Sequence, residues 1–586
     1  MKPRLLILTD PFAAPAYKPR LRFLCDYLMS QGWDINIYTE RGEPIRFEHT
    51  YPIHEVTIYR TDSHIEWAVK SGWSLLTDWR NRYFSRQVQK EIADKQYDIV
   101  LCCTFSTFPL RAAYNIAQER HIPLHVDLRD VDEQVPGAQY QNHRQWWLRP
   151  FRVWYRNVNI HRRNRIIRQA DSLTSVSPWH VDFLKQYNSN VHLVYNGFDA
   201  KQFYWSDVKS DKFLVSYVGK IYEFQDISII DAAIHELDKN EIVLNIRKGG
   251  IATDKVGDEI RRSSVMIVLT SKAAKGMMTT KFYEALGCEK PVLCFPNDEG
   301  VLATTIKQTN AGIATDDKEA IKAFILDKYI EWKKQGYTHQ AVKNKSFFNR
   351  AYQSQQMERV ISNTIAANNA HHTLVDICWT LFYSNTTYDF LHIRGNKLNS
   401  LIYKLFGYDI VRSRAIRKFK GLPEAEQTAR VERFYHDDLE PRKIEPVWNI
   451  IDGKQIVLVS NTMEIIAKTV AKHIGAKKYY ATQNKEEVLA HYTDFDIVTD
   501  NTKDIELIKR AQHATILTYN NKARWQRILP QGIKVTFIET GRKKYYTCIL
   551  YPLRIFVLRT TSLRSEAVVV VIAIYIANRI LRCCRL

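Results

Sequence analysis

No C-x-x-C pair occurs anywhere in the chain, and its nine cysteines are scattered, with Cys102-Cys103 and Cys583-Cys584 adjacent. That usage argues against both a zinc site and a disulfide framework, and a reducing cytosol is the compartment it fits. The opening residues, MKPRLLILTDPF, lack the long apolar core of a signal peptide. RLLILTD reads as a first β-strand instead, so no secretion is expected. The basic-apolar tail has its longest uninterrupted apolar run at Ala567 to Ala577, well short of the roughly 20 residues of a spanning helix. What the chain does have is charge: 84 Lys and Arg against 63 Asp and Glu, a net of +21. Such a surplus favours an anionic partner, whether nucleic acid, a phosphorylated substrate or an anionic membrane surface. A hydrophobic content of 45% over 586 residues rules out wholesale disorder, and at about 150 residues per domain it predicts three to four domains.

From residue 4 onward short apolar runs alternate with helical patterns: RLLILTD, RLRFLCDYLMSQG, DINIYTE, YDIVLCCTF, LRAAYNIAQERH, PLHVDLRD. Strands alternating with helices predict βαβ units, a parallel sheet, and a ligand at the carboxyl ends of the strands. After a polar stretch near residues 199–212 a second series begins with FLVSYVGK, IVLNIRKG, VMIVLTS and PVLCFP. The reading is α/β, with two doubly wound domains and a cleft between them. In GMMTTKFYEALGCEKPVLCFP, Gly276 to Pro296, Lys281 and Glu284 stand three apart at a helix start, on one face. A salt-bridged surface turn would have the same spacing.

RLRFLCDYLMSQGWDINIYTE, DLRD, SVSPWHVDFL, VYNGFD, YVGK and TTKFYEALGCEKPVL, in that order, resemble the retaining GT-B glycosyltransferases of the family-four type. The resemblance covers about residues 1–365, and it implies an acceptor domain at 1–205 and a nucleotide-sugar domain at 206–365. In such enzymes the Lys and Glu of this helix, here Lys281 and Glu284, face the nucleotide-sugar, Glu284 accepting from ribose hydroxyls. A helix N-terminus offers N–H groups and a positive dipole end to the diphosphate, and Thr279 and Thr280 are suited to cap it. Lys220, after Gly219 in YVGK, matches the basic position that neutralises the leaving diphosphate, so no cofactor is expected for glycosyl transfer. The family often carries an acidic residue eight positions before the ribose Glu. Here that position is Gly276, with backbone N–H groups of Lys275 to Met277 as the alternative. Arg129 and Asp130, ending PLHVDLRD, are candidates for acceptor or donor-sugar contacts; Asp127 is the alternative inward-pointing residue, because strand side chains alternate. The glycine-rich first loop of the family is replaced by DPFAAPAYKPR, with Lys18 and Arg20, which predicts an altered acceptor pocket.

His143 to Ala170 sets eight arginines among Trp146, Trp147, Phe151, Trp154 and Tyr155. Aromatic rings and arginines together suit an anionic membrane interface. Without a recognised nucleic-acid motif, nucleic acid is not expected as a partner. An amphipathic helix packed on its aromatic side is the alternative.

TLVDICWTLFYSNTTYDFL, then IVLVSN, NKEEVLAHY and FDIVTDNTKDIELIKRA, resemble the motifs of the haloacid dehalogenase (HAD) superfamily over about residues 371–545. The resemblance implies a third Rossmannoid domain with a helical cap insert, and a Mg2+ ion held by Asp376 and Asp500. It assigns Asp376, Thr380, Ser460, Lys485, Asp500 and Asp504 to the motifs, with Asp376 attacking phosphorus. The usual general acid stands two residues after that Asp, and here the position is Cys378. A thiol is a poor replacement for a carboxylic acid of matched pKa.

The expectation is a cytoplasmic glycosyltransferase, peripheral at the inner face of a bacterial cell membrane, acting in capsule or lipopolysaccharide assembly. It moves a sugar from a nucleotide-sugar to a glycan or polyprenyl-linked acceptor, with residues 546–586 as an interfacial tail. The rivals are a phosphatase tethered by its first half, and a non-catalytic glycan or lipid-phosphate binder with two decayed sites.

Overall fold

The computed structural model describes residues 2–540 except 12–18, 43, 46, 59–69, 71, 75–76, 105–106, 135–148, 220, 222–225, 248–250, 273–275, 394–408, 477, 491, 493 and 531. At 151, 152, 253 and 410 it describes the backbone alone. Lys18, Trp146, Trp147, Lys220, Lys275 and the tail at 546–586 therefore lie outside the described residues. The chain divides into two compact units, Met1–Asn368 and Asn369–Leu586.

The first unit contains two sheets. β1 (Arg4–Thr9), β2 (Asp34–Glu40), β3 (Ile53–Val56), β4 (Ile99–Thr104), β5 (Leu124–Leu128), β6 (Ser172–Ser175) and β7 (Val191–Leu193) form the first. Its order is β3-β2-β1-β4-β5-β6-β7 and every pairing is parallel. β4 and β5 are buried along their whole length, which is why they read as continuous apolar runs and not as an alternation. Helices α1 (Pro19–Ser30), α2 (Arg149–Ile167) and α3 (Pro178–Leu184) lie in this segment.

β8 (Phe213–Val218), β9 (Ile242–Arg247), β10 (Val265–Leu269), β11 (Val292–Phe295) and β12 (Gly312–Ala314) form the second sheet, ordered β12-β11-β10-β8-β9 and again all parallel. The chain reverses direction of travel between β8 and β10, so the ends of those two strands flank the crevice where such sheets bind ligands. Helix α4 (Thr280–Gly287) follows β10 and starts at that crevice.

Helix α5 (Arg350–Asn368) returns to the first sheet. Met357 and Ile361 join the core formed by Leu21, Leu24 and Leu28 of α1, and Glu358 accepts from Tyr27 Oη and Trp33 Nε1, both at 2.9 Å. This last helix thus packs with the first sheet although it follows the second in the chain.

In the second unit, β13 (His372–Val375), β14 (Ile456–Ser460), β15 (Lys478–Ala481), β16 (Phe495–Thr499), β17 (His513–Thr518) and β18 (Lys534–Glu539) form a parallel sheet, ordered β15-β14-β13-β16-β17-β18. The switch point falls between β13 and β16. Helices α6 (Ile410–Lys420), α7 (Glu424–Phe434) and α8 (Glu445–Ile451) lie between β13 and β14, and α9 (Glu464–Ile474) follows β14. Phe434, Val447 and Ile451 share one core with Phe382, Ile466 and Val470. Among the described residues the insert therefore shares the apolar core of the sheet's own helix layer.

Candidate functional site

The crevice of the first unit is built around the start of α4. Thr279 is its N-cap with extended backbone, yet its side chain makes no capping bond, and Thr279 Oγ1 is a buried atom with no hydrogen-bond partner among the described residues. The capping expected of Thr279 is thus not observed, and Thr280, the first helical residue, is exposed. Lys281 turns back over β8: a Cβ added at Gly219 would stand 2.7 Å from Lys281 Cε and 3.0 Å from its Nζ. Gly219 has φ +134°, so the backbone favours glycine there. Lys281 Nζ also lies 5.4 Å from the centroid of the Tyr217 ring, a cation–π arrangement.

Glu284 is half-buried. Burial pushes its carboxyl above the usual range, against the opposing pull of Lys281 and Arg350. Burial likewise lowers the Lys281 ammonium, with Glu284 acting the other way. Two desolvated groups of opposite charge on one helix face are a recognisable signature of a ligand site. Arg350, at the start of α5, is the partner that sequence reasoning missed; it stands 66 residues beyond Glu284 and no local pattern announces it.

Gly276 explains the missing acidic residue. Its φ is +65°, and a Cβ there would meet Trp179 Cβ at 2.3 Å, Trp179 Cγ at 2.8 Å and Ser177 Oγ at 3.1 Å. Ser177 Oγ also donates to the Gly276 carbonyl at 2.6 Å. A side chain is sterically excluded, because the first sheet's Ser177 and Trp179 close against this turn.

Of the strand-end residues, Asp127 is buried in a polar network. Arg20 donates to it twice, Nε to Oδ2 at 3.1 Å and Nη2 to Oδ1 at 2.9 Å, and Thr174 Oγ1 donates to Oδ1 at 2.7 Å. These contacts hold its carboxyl below the usual range despite complete burial. Arg20 also donates to the carbonyls of Val194 and Tyr195, so the pair ties α1 to β5 and to the segment after β7. Arg129 is buried and Asp130 exposed.

The basic helix divides its arginines. Arg163 is buried and donates to both oxygens of Glu133 at 2.6 and 2.8 Å, and Arg156 donates to the Asp132 carbonyl. Those two serve packing. Trp154 and Tyr155 are exposed. Among the described residues no helix is long and apolar enough to cross a membrane.

In the second unit the residues singled out in the sequence converge at the strand ends. Lys485 Nζ donates to Asp376 Oδ2 at 2.6 Å and to Asp504 Oδ2 at 2.8 Å. Thr499 Oγ1 adds a second contact to that Asp504 oxygen at 2.6 Å. Thr380 Oγ1 donates to Asp500 Oδ1 at 3.3 Å, and Ile377 N–H donates to Asp376 Oδ1 at 2.7 Å. Two carboxylates face one ammonium, and burial leads the causes that push Asp504 up to about 6. Cys378 Sγ lies 3.1 Å from Thr386 Oγ1 and 3.9 Å from Ser460 Oγ. Burial and the neighbouring Asp376 push this thiol up to about 11, so it is protonated and poorly acidic at neutral pH. Thr386, Thr387 and Thr462 form a buried hydroxyl cluster beside it, unnoticed in the sequence.

Residues 20–202 match the family model Glycosyltransferase Family 4. That stretch holds α1, the Arg20–Asp127 pair and the Ser177–Trp179 wall of the crevice. Among solved structures, sucrose-phosphate synthase from Thermosynechococcus elongatus is similar at 14% identity and a TM-score of 0.47, over 63% of this chain and 100% of that one. HepE from Anabaena, solved in complex with UDP-glucose, is similar at 13% identity and a TM-score of 0.43, over 61% of this chain and 99% of that one. The catalytic domain of starch synthase IV from Arabidopsis thaliana, bound to ADP and acarbose, is similar at 11% identity and 0.41, over 62% and 100%. No curated protein matches.

Proposed function

We propose that the first unit is a retaining glycosyltransferase that takes its sugar from a nucleotide-sugar bound at the start of α4. The observation that carries this is the pairing of desolvated Lys281 and Glu284 at a helix N-terminus. The family match over residues 20–202 supports the reaction class. Glu284 accepts from the ribose hydroxyls, Lys281 and the helix dipole face the diphosphate, and Lys220, next to Gly219 in the sequence, completes leaving-group stabilisation. Since Gly276 admits no side chain, backbone N–H groups of that turn contact the donor sugar. The acceptor is a membrane-linked or polyprenyl-linked surface glycan, of the capsule or lipopolysaccharide kind. The exposed Trp154 and Tyr155 with their neighbouring arginines dock the enzyme on the cytoplasmic face of the membrane. The test is release of nucleoside diphosphate from a panel of UDP-, GDP-, ADP- and CMP-linked sugars. One donor should be turned over, and Glu284→Gln should reduce that turnover at least tenfold; equal turnover by the variant would refute the assignment.

A second reading is favoured by the Lys485 bridge: the second unit is a HAD-like phosphate site. Its donors are oxygens only, the choice of a hard cation, and Asp504 Oδ1 is a buried acceptor without a hydrogen-bond donor. The residues fit Mg2+, with Asp376 and Asp500 to hold it, and the ion would supply charge neutralisation to a phosphoryl group. Asp376 is the nucleophile of this reading and Lys485 orients it. Cys378 leaves the site without a proton donor of matched pKa. Binding of sugar phosphates with little turnover is what this arrangement supports.

A further inference from the structure

A cluster unrelated to either site lies where the insert meets α9. Glu432 is two residues from the end of α7, His436 is in the single π-helical turn Tyr435–Leu439 that follows, and His473 is in the last turn of α9. One ligand atom from each of Glu432, His436 and His473 lies within 4.8 Å of the other two. Among the described residues they are the one such group of three.

The surroundings orient each ligand. His436 Nδ1 donates to Glu440 Oε2 at 3.1 Å, which in the neutral ring makes Nε2 the nitrogen available to a metal. Tyr435 stacks on the His473 ring at 4.0 Å between centroids and 10° between planes, fixing where His473 Nε2 points. That nitrogen donates to Glu432 Oε2 at 2.7 Å, and Lys472 Nζ donates to the other oxygen, Oε1, at 2.8 Å. A metal-bound histidine held by a carboxylate on its second nitrogen, and a metal-bound carboxylate held through its second oxygen, are the usual outer partners of a metal site. The widened turn also has a cause: a residue inserted in the helix, with Glu440 N–H bonding the Tyr435 carbonyl, re-aims the side chain at 436. Such turns concentrate at functional positions.

We propose that Glu432, His436 and His473 bind one Zn2+ ion. Two imidazoles and one carboxylate suit Zn2+, and three protein ligands leave its fourth tetrahedral position to water or an exogenous group. On binding, the ion replaces the His473 Nε2–H hydrogen bond to Glu432, and the imidazole proton moves to Nδ1. Because Glu432 and His436 belong to the insert and His473 to the helix after β14, the ion cross-links the two. That helix begins just after Ser460 and Thr462, so the clamp steadies the loop beside Cys378.

The test uses the full-length protein, with Zn2+ titrated against a chromophoric chelator and Co2+ as a spectroscopic substitute. Wild type should take up one equivalent more than His436→Gln/His473→Gln, and its Co2+ form should show the intense visible bands of tetrahedral coordination, absent from the double variant. Glu440→Gln, which leaves all three ligands in place, should weaken binding about 10- to 100-fold. Because every cysteine is retained in the variants, thiol binding cancels from the comparison. Equal stoichiometry and affinity in wild type and double variant would overturn the proposal, as would a wild-type Co2+ form without those bands.

Discussion

Gly276→Ala is the substitution whose cost can be worked out most completely. The residue has φ +65°, and the added Cβ would sit 2.3 Å from Trp179 Cβ, inside any real contact distance. Left-handed backbone costs an alanine roughly 1–2 kcal/mol, and overpacking adds about 1–3 kcal/mol because Cβ of a helical Trp has no rotamer by which to retreat. Gly32 supplies the internal control: its φ is +86°, yet the nearest atom to an added Cβ is Lys2 Cε at 4.0 Å. Gly32→Ala should therefore cost only the backbone part. Both glycines lie in the first unit, so a urea titration followed by tryptophan fluorescence compares them on one transition. Gly276→Ala should lose about 1–3 kcal/mol more than Gly32→Ala. Equal losses would mean that the first sheet does not close on this turn, and the account of the missing acidic residue would fall with it.

Lys485→Met leaves Asp376 and Asp504 facing each other without a cation; it should destabilise the second unit by about 3–5 kcal/mol in denaturant titration, and a loss under 1 kcal/mol would contradict the bridge. Cys378→Asp restores the D-x-D-x-T pattern, and p-nitrophenyl phosphate hydrolysis with Mg2+ should rise about 10²- to 10⁴-fold. Burial holds His125 and His180 down to about 4. Their folded-state values lie below the unfolded 6.5, so the neutral forms stabilise the fold fully above about pH 6.5 and that contribution is lost as pH falls toward 4. Unfolding free energy measured by urea titration from pH 7 to 5 should fall, with a slope approaching about 1.4 kcal/mol per unit for each buried imidazole, and His125→Gln should flatten it.

Strand positions were legible because buried parallel strands spell apolar runs: IVLCC, VMIVL and IVLVS all lie in β-strands, β4, β10 and β14. The convergence of Asp376, Lys485 and Asp504 was legible too, because the motif resemblance singled out all three residues. Arg350 was not, because the return of α5 to the first sheet depends on packing between segments more than 300 residues apart, such as Tyr27 with Glu358. The burial of Asp127 was not legible either, because its partner Arg20 stands over 100 residues earlier. The arginines of α2 looked alike in sequence, and contacts with Glu133 and Asp132 single out Arg163 and Arg156. His436 and His473 stand 37 positions apart, a spacing no metal pattern predicts.

The central claim is that Glu284 reads the ribose of a nucleotide at the start of α4. Calorimetric titration of UDP, GDP, ADP and CMP into wild type and Glu284→Gln tests it directly. One nucleotide should bind wild type, and the variant should bind it about 10- to 100-fold more weakly, the loss of about 1.5–3 kcal/mol expected when a charged acceptor goes. Equal affinity in both proteins, or no heat from any nucleotide with a folded wild type, would contradict it.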